Sequence, residues 1–123
     1  MKTTVFLLFS AMLLATAKAD GAPLTDPEDL SATTSDPGCV LVSWKAVPED
    51  KHNGEGFHYS VFWTKDVEYE THHVDVHDWT QTRCKVCDLE PNTLYRFTVL
   101  SRNKNGGVDD ESDKENYVKV TSG

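Results

Sequence analysis

Beyond its first 19 residues, the chain contains no apolar run near the roughly 20 residues that a membrane helix needs, so no later segment reads as a bilayer span. Basic residues are few: 12 Lys and Arg stand against 20 Asp and Glu. That balance argues against a nucleic-acid or anionic-membrane partner, which would want the opposite sign. No Asn-x-Ser/Thr acceptor occurs, so N-glycosylation is not expected. A Gly-x-Ser-x-Gly elbow and a phosphate-cradling glycine loop are also missing, which removes the common signatures of hydrolase and nucleotide chemistry. After the first 19 residues, no segment carries a convincing helical period.

The first segment has a clear character of its own. Met1-Lys2 is basic, Val5 to Ala17 is almost wholly apolar, and Ala17-Lys18-Ala19 has the small-x-small pattern of a signal-peptidase site. Residues 1–19 are expected to be a signal peptide cut before Asp20, and the chain to be secreted. The cut takes Lys2 and Lys18 with it, leaving 10 basic against 20 acidic residues. What remains, 123 less 19 or 104 residues, suffices for one domain over 20–123 and is too short for two.

Short alternating runs fill that domain. Ala22 to Ala32 reads as a first edge strand, since Pro23 and Pro27 would be unfit for a central one. After the Asp36-Pro37-Gly38 turn, Cys39 to Trp44 places Val40, Val42 and Trp44 on one face. Phe57 to Trp63 does the same with Tyr59, Val61 and Trp63. Glu68 to Val76 and Thr82 to Cys87 supply two more strands, Arg96 to Asn103 another, and Asn116 to Thr121 the last. Seven short strands with turns every 8 to 12 residues or so predict an all-β, immunoglobulin-like antiparallel sandwich.

Leu89-Glu90-Pro91-Asn92-Thr93-Leu94-Tyr95 leads into the strand Arg96 to Asn103. Leu89 is an apolar anchor, Pro91 and Asn92 suit a bend, and Tyr95 can bury its ring and return its hydroxyl to backbone upstream. Leu-x-Pro-x-Thr-x-Tyr followed by Phe97, Val99, Asn103 and Gly106 resembles the E–F corner and F strand of fibronectin type III domains. Trp44, Tyr59, Val61 and Val86 match that family's core positions, so the resemblance spans about 22–121. Trp44, Pro48, Asn53-Gly54, Gly56, Tyr59, Val61 and Trp63 are similar to repeats of L1- and neurofascin-type cell-adhesion molecules.

The sandwich implied by that resemblance makes strands B and E antiparallel neighbours, bringing Cys39 near Cys87. Alternation turns Cys39 away from Val40 and Val42, while Cys84 shares the core-facing side of Val86. A Cys39–Cys87 disulfide with Cys84 as a buried thiol is the leading expectation for a secreted domain, and Cys39–Cys84 is the second. Cys84–Cys87 is awkward in extended backbone. The odd cysteine also leaves room for a disulfide-linked dimer.

Two clusters invite cation chemistry. His73, Asp75 and His77 alternate, so on a strand they share one face about 6–7 Å apart, and two imidazoles with a carboxylate suit zinc or a similar ion. Asp109, Asp110, Glu111 and Asp113 bunch carboxylates in the F–G loop, which could attract calcium or a mineral surface, though without the ligand order of an EF-hand. Neither demands a cofactor, and a solvated polar surface explains both. Cys84-Lys85-Val86-Cys87 is formally C-x-x-C, but it lies on an expected strand rather than capping a helix. The Arg-Gly-Asp tripeptide that some family members carry in the F–G loop does not occur.

The sequence thus predicts a secreted, non-enzymatic binding module with extracellular protein partners. Two roles are compatible with it: a component of an extracellular, even mineralised, matrix, or a soluble ligand or decoy for an adhesion receptor. Metal-dependent or redox catalysis is the third, least supported reading.

Overall fold

The computed structural model describes residues 20–108 and 117–123. The expected signal peptide and the acidic run of Asp109, Asp110, Glu111 and Asp113 lie outside the described residues. Strands β1 (Ser31–Thr34), β2 (Val40–Ser43) and β5 (Arg83–Val86) form a three-stranded antiparallel sheet in the order β1-β2-β5. Strands β3 (His58–Lys65), β4 (His72–Val76), β6 (Leu94–Asn103), β7 (Gly106–Gly107) and β8 (Val118–Thr121) form the second sheet. Within it β4 pairs β3, β3 pairs β6, and both β7 and β8 pair β6. A strand has only two edges, and β3 occupies one edge of β6. Strands β7 and β8 therefore pair with the same edge of β6, which reconciles eight strand segments among the described residues with the expected seven.

Alternation decides which side chains are buried. In β6 every second residue from Tyr95 to Asn103 is buried, the pattern of a strand with one face on a core. Val40, Val42 and Trp44 from one sheet meet Tyr59, Val61, Phe97 and Val99 from the other. Complete burial of a Val or Phe side chain is worth roughly 1.5–3 kcal/mol, so these positions carry much of the fold's stability. Trp44 and Tyr59 meet edge to face at 5.3 Å.

Several boundaries differ from the sequence reading. The first strand begins at Ser31 and runs to Thr34, not over Ala22 to Ala32. Pro23 and Pro27 have no N–H for a ladder, and Asp29 adopts φ 56°, which breaks an extended run. The fourth strand starts at His72 instead of Glu68, because a turn closed by Glu68 N–H to Lys65 O holds the chain there. The fifth is Arg83–Val86, shorter by a residue at each end than expected. The one helical element among the described residues is a single 3-10 turn, Glu49–Lys51.

Candidate functional site

Tyr95 builds the corner below the sheets. Its ring is buried, and its hydroxyl accepts the Glu90 N–H at 2.9 Å. Leu89 is buried beside it, Pro91 stays exposed in the bend, and Asn92 takes the left-handed conformation at φ 53°. Thr93 Oγ1 donates to Pro91 O and closes the turn at 2.9 Å. Tyr59 performs a similar task at the opposite end. Its buried hydroxyl accepts Val47 N–H at 3.0 Å and donates to Trp79 O at 2.7 Å. Burial pushes its phenol above the usual tyrosine range, opposed by the Val47 N–H. Trp79 is thereby tied to the core and meets the His52 ring edge to face at 5.0 Å.

Cys39 and Cys87 are bonded, one step beyond the Val40–Val86 pair of the β2–β5 ladder. Cys39 is buried although its parity points away from the core, while Cys87 is exposed. Cys84 is free, half-buried and packed against the core, and burial pushes its thiol up. That placement works against the disulfide-linked dimer that an odd cysteine suggests.

The surface left for contact is the outer face of the five-stranded sheet. Along the β3–β4 ladder, Ser60 lies opposite Asp75 and Phe62 opposite His73, and just beyond its end His58 meets His77. The rings of His58 and His77 lie 5.0 Å apart, and those of Phe62 and His73 stack at 5.2 Å. Ser60 Oγ donates to Asp75 Oδ1 at 2.7 Å and holds that carboxyl below its usual range. Burial opposes this, and His58, His73 and His77 add smaller pulls in the same direction as Ser60. Toward β6 and β8 a shallow hollow of about 330 Å³ is lined by residues including Phe62, Thr98, Leu100 and Tyr117. Arg96 lies over the Tyr117 ring at 5.6 Å.

His73, Asp75 and His77 do share one exposed side. Each engages its opposite number on β3, and among the described residues no three His, Cys, Asp or Glu side chains group so as to hold an ion. Alternation fixes which way a side chain faces, not how far it is drawn toward a neighbouring strand. The C-x-x-C pair is likewise divided, with Cys87 in the disulfide and Cys84 alone. Among the described residues no helix is long and apolar enough to cross a membrane.

Comparison with known proteins agrees with this architecture. The chain is 27% identical over 85 residues to Neuroglian of Drosophila melanogaster, covering 68% of this chain and 6% of that protein. It is 33% identical over 101 residues to Contactin-5 of Mus musculus, covering 78% of this chain and 9% of the relative. The chain thus spans under a tenth of the length of these curated relatives. Among solved structures, the chicken CNTN1 FN1-FN3 domains superpose with a TM-score of 0.73 at 21% identity, over 84% of this chain and 35% of that one. The Fibronectin type III domain model matches residues 25–116, most of the chain. With its two antiparallel sheets, buried Trp44 and bonded Tyr95 corner, this chain belongs to the fibronectin type III domain family.

Proposed function

We propose that the protein is a secreted, non-catalytic binding module that works in the extracellular matrix through protein contacts. The observation that carries this reading is the outer face of the five-stranded sheet, where Phe62, Leu100 and Tyr117 stand beside His58, His73, His77 and Arg96. Apolar and aromatic surface interleaved with polar donors is the usual composition of a protein contact site. The family, whose domains occur in adhesion and receptor proteins, supports the same reading. The disulfide fits an oxidising compartment and the apolar leader fits export. The acidic run at 109–115 would add attraction for calcium or mineral.

A second reading, a soluble ligand or decoy for a cell-surface adhesion receptor, draws on the likeness to Neuroglian and to Neural cell adhesion molecule L1.1 of Danio rerio. Fractionation of native extracellular material, with and without calcium chelation, separates the two. Recovery in the insoluble or chelator-released fraction supports the matrix role. Recovery as a free monomer that binds cells saturably supports the ligand role. In either case Phe62→Asp and Leu100→Asp should abolish binding, and if both leave it intact the assigned face is wrong.

A further inference from the structure

The four tyrosines of the chain divide sharply by environment. Tyr59 and Tyr95 are buried with bonded hydroxyls, and Tyr117 is half-covered beneath Arg96. Tyr69 is 99% exposed. A large aromatic ring fully in water has no packing reason to be there.

Its surroundings are specific. Asp66-Val67-Glu68-Tyr69-Glu70 places a carboxylate directly on each side of the phenol and a third one three residues before it. The segment links β3 to β4, and residues 68–71 belong to no strand. Its backbone is nevertheless held at the base. Thr64 Oγ1 donates to Glu70 O at 2.6 Å, Thr71 Oγ1 to Tyr69 O at 3.4 Å, and Glu68 N–H to Lys65 O at 3.1 Å. Lys65 reaches both Glu90 at 2.6 Å and Glu68 at 3.5 Å, and Arg96 and Lys119 face Asp66, while the Tyr69 side chain itself stays open to solvent. The result is a projecting nucleophilic oxygen set between carboxylates on a short connection that an enzyme cleft can engulf.

We propose that Tyr69 is a tyrosine O-sulfation site, modified by a transferase that recognises acidic flanks through a basic cleft. The inference rests on the secretion reading for the compartment in which it meets that enzyme. In the step, the phenolic oxygen attacks the sulfur of a nucleoside phosphosulfate. The new O–S bond forms as the anhydride S–O bond breaks, the nucleoside bisphosphate departs, and the phenolic proton passes to a base on the transferase. Glu68 and Glu70 serve recognition, pairing with basic groups of the cleft. The product carries a lasting negative charge on the hairpin tip and is suited to an Arg- or Lys-lined partner surface.

The test uses the purified chain from Asp20 onward, a tyrosine sulfotransferase and a nucleoside phosphosulfate donor. Trypsin releases 66–83, in which Tyr69 is the one tyrosine. Addition of one SO₃ to that peptide, absent in Tyr69→Phe, is the expected result. Glu68→Gln should slow it about tenfold, the worth of one charge-assisted hydrogen bond. An unmodified 66–83 peptide beside a modified acidic control peptide overturns the proposal, as does label confined to Tyr117. A parallel expression with the native leader and radiolabelled sulfate separates the two readings. Retention of the chain inside the cells refutes secretion and leaves the purified-enzyme result to decide the site. Secreted chain whose 66–83 modification is removed by phosphatase is phosphorylated, which also overturns sulfation.

Discussion

Tyr95 and Glu90 are joined across the corner between β5 and β6 by a hydrogen bond in which the Glu90 N–H reaches the buried phenolic oxygen at 2.9 Å. Tyr95→Phe keeps the ring and deletes the acceptor. A loss of about 1–3 kcal/mol is expected, the cost of an unpaired backbone donor. Urea unfolding followed by tryptophan fluorescence measures it, and an unchanged midpoint removes the structural role given to this corner.

Tyr59 should matter more. Its hydroxyl satisfies both the Val47 N–H and the Trp79 carbonyl. Tyr59→Phe strands two groups instead of one, so its loss should exceed that of Tyr95→Phe, at about 2–4 kcal/mol. The order of the two variants in one denaturation series is the check.

Replacing both half-cystines, Cys39→Ala with Cys87→Ala, frees a crosslink between positions 48 apart. Chain entropy places the cost at about 4 kcal/mol, comparable with the whole stability of many small domains. Comparing oxidised and double-variant chains by thermal melting would show it. A shift of only a degree or two would mean that the unfolded chain is little restrained by the bond.

Cys84 should behave as a sheltered thiol, because burial raises its proton affinity and limits access. Alkylation by iodoacetamide at pH 8 should run several-fold slower than for an unstructured cysteine peptide and accelerate in urea. Equal rates in native and unfolded chains would place the thiol in solvent.

Asp75 supplies a pH signature. Its folded pKa lies below the ordinary aspartate range, chiefly through Ser60 Oγ. The folded state therefore binds that proton less readily than the unfolded one. Its contribution is present above about pH 4 and is lost as pH falls through the depressed folded value. Carboxyl NMR titration should show the depression in the native protein and its partial loss in Ser60→Ala. An identical Asp75 titration in both proteins would remove Ser60 as the principal cause.

Alternation in Val40 to Trp44, Tyr59 to Trp63 and Tyr95 to Asn103 was legible because a period of two states directly which side chains meet the core. The Cys39–Cys87 pairing follows from β2 and β5 being antiparallel neighbours, whereas parity misplaces Cys39, which is buried. The start of β1 was misplaced because edge strands carry weak patterns, and neither a left-handed Asp29 nor the lack of a ladder partner can be read from composition. His73, Asp75 and His77 were grouped along their own strand, whereas the fold pairs them across strands with Phe62, Ser60 and His58.

Alternation and the Leu89–Tyr95 corner could be read from the residues alone, since each is a local pattern whose physics acts within a few residues or one strand repeat. Tertiary structure decided the rest. Trp79 found its role only when the Tyr59 hydroxyl reached it from 20 residues away. Tyr69 became distinct only when Tyr59 and Tyr95 were seen to be buried and Tyr117 to lie beneath Arg96. Exposure and cross-strand partnership depend on which distant segments the folded backbone brings together, and no local spacing encodes that.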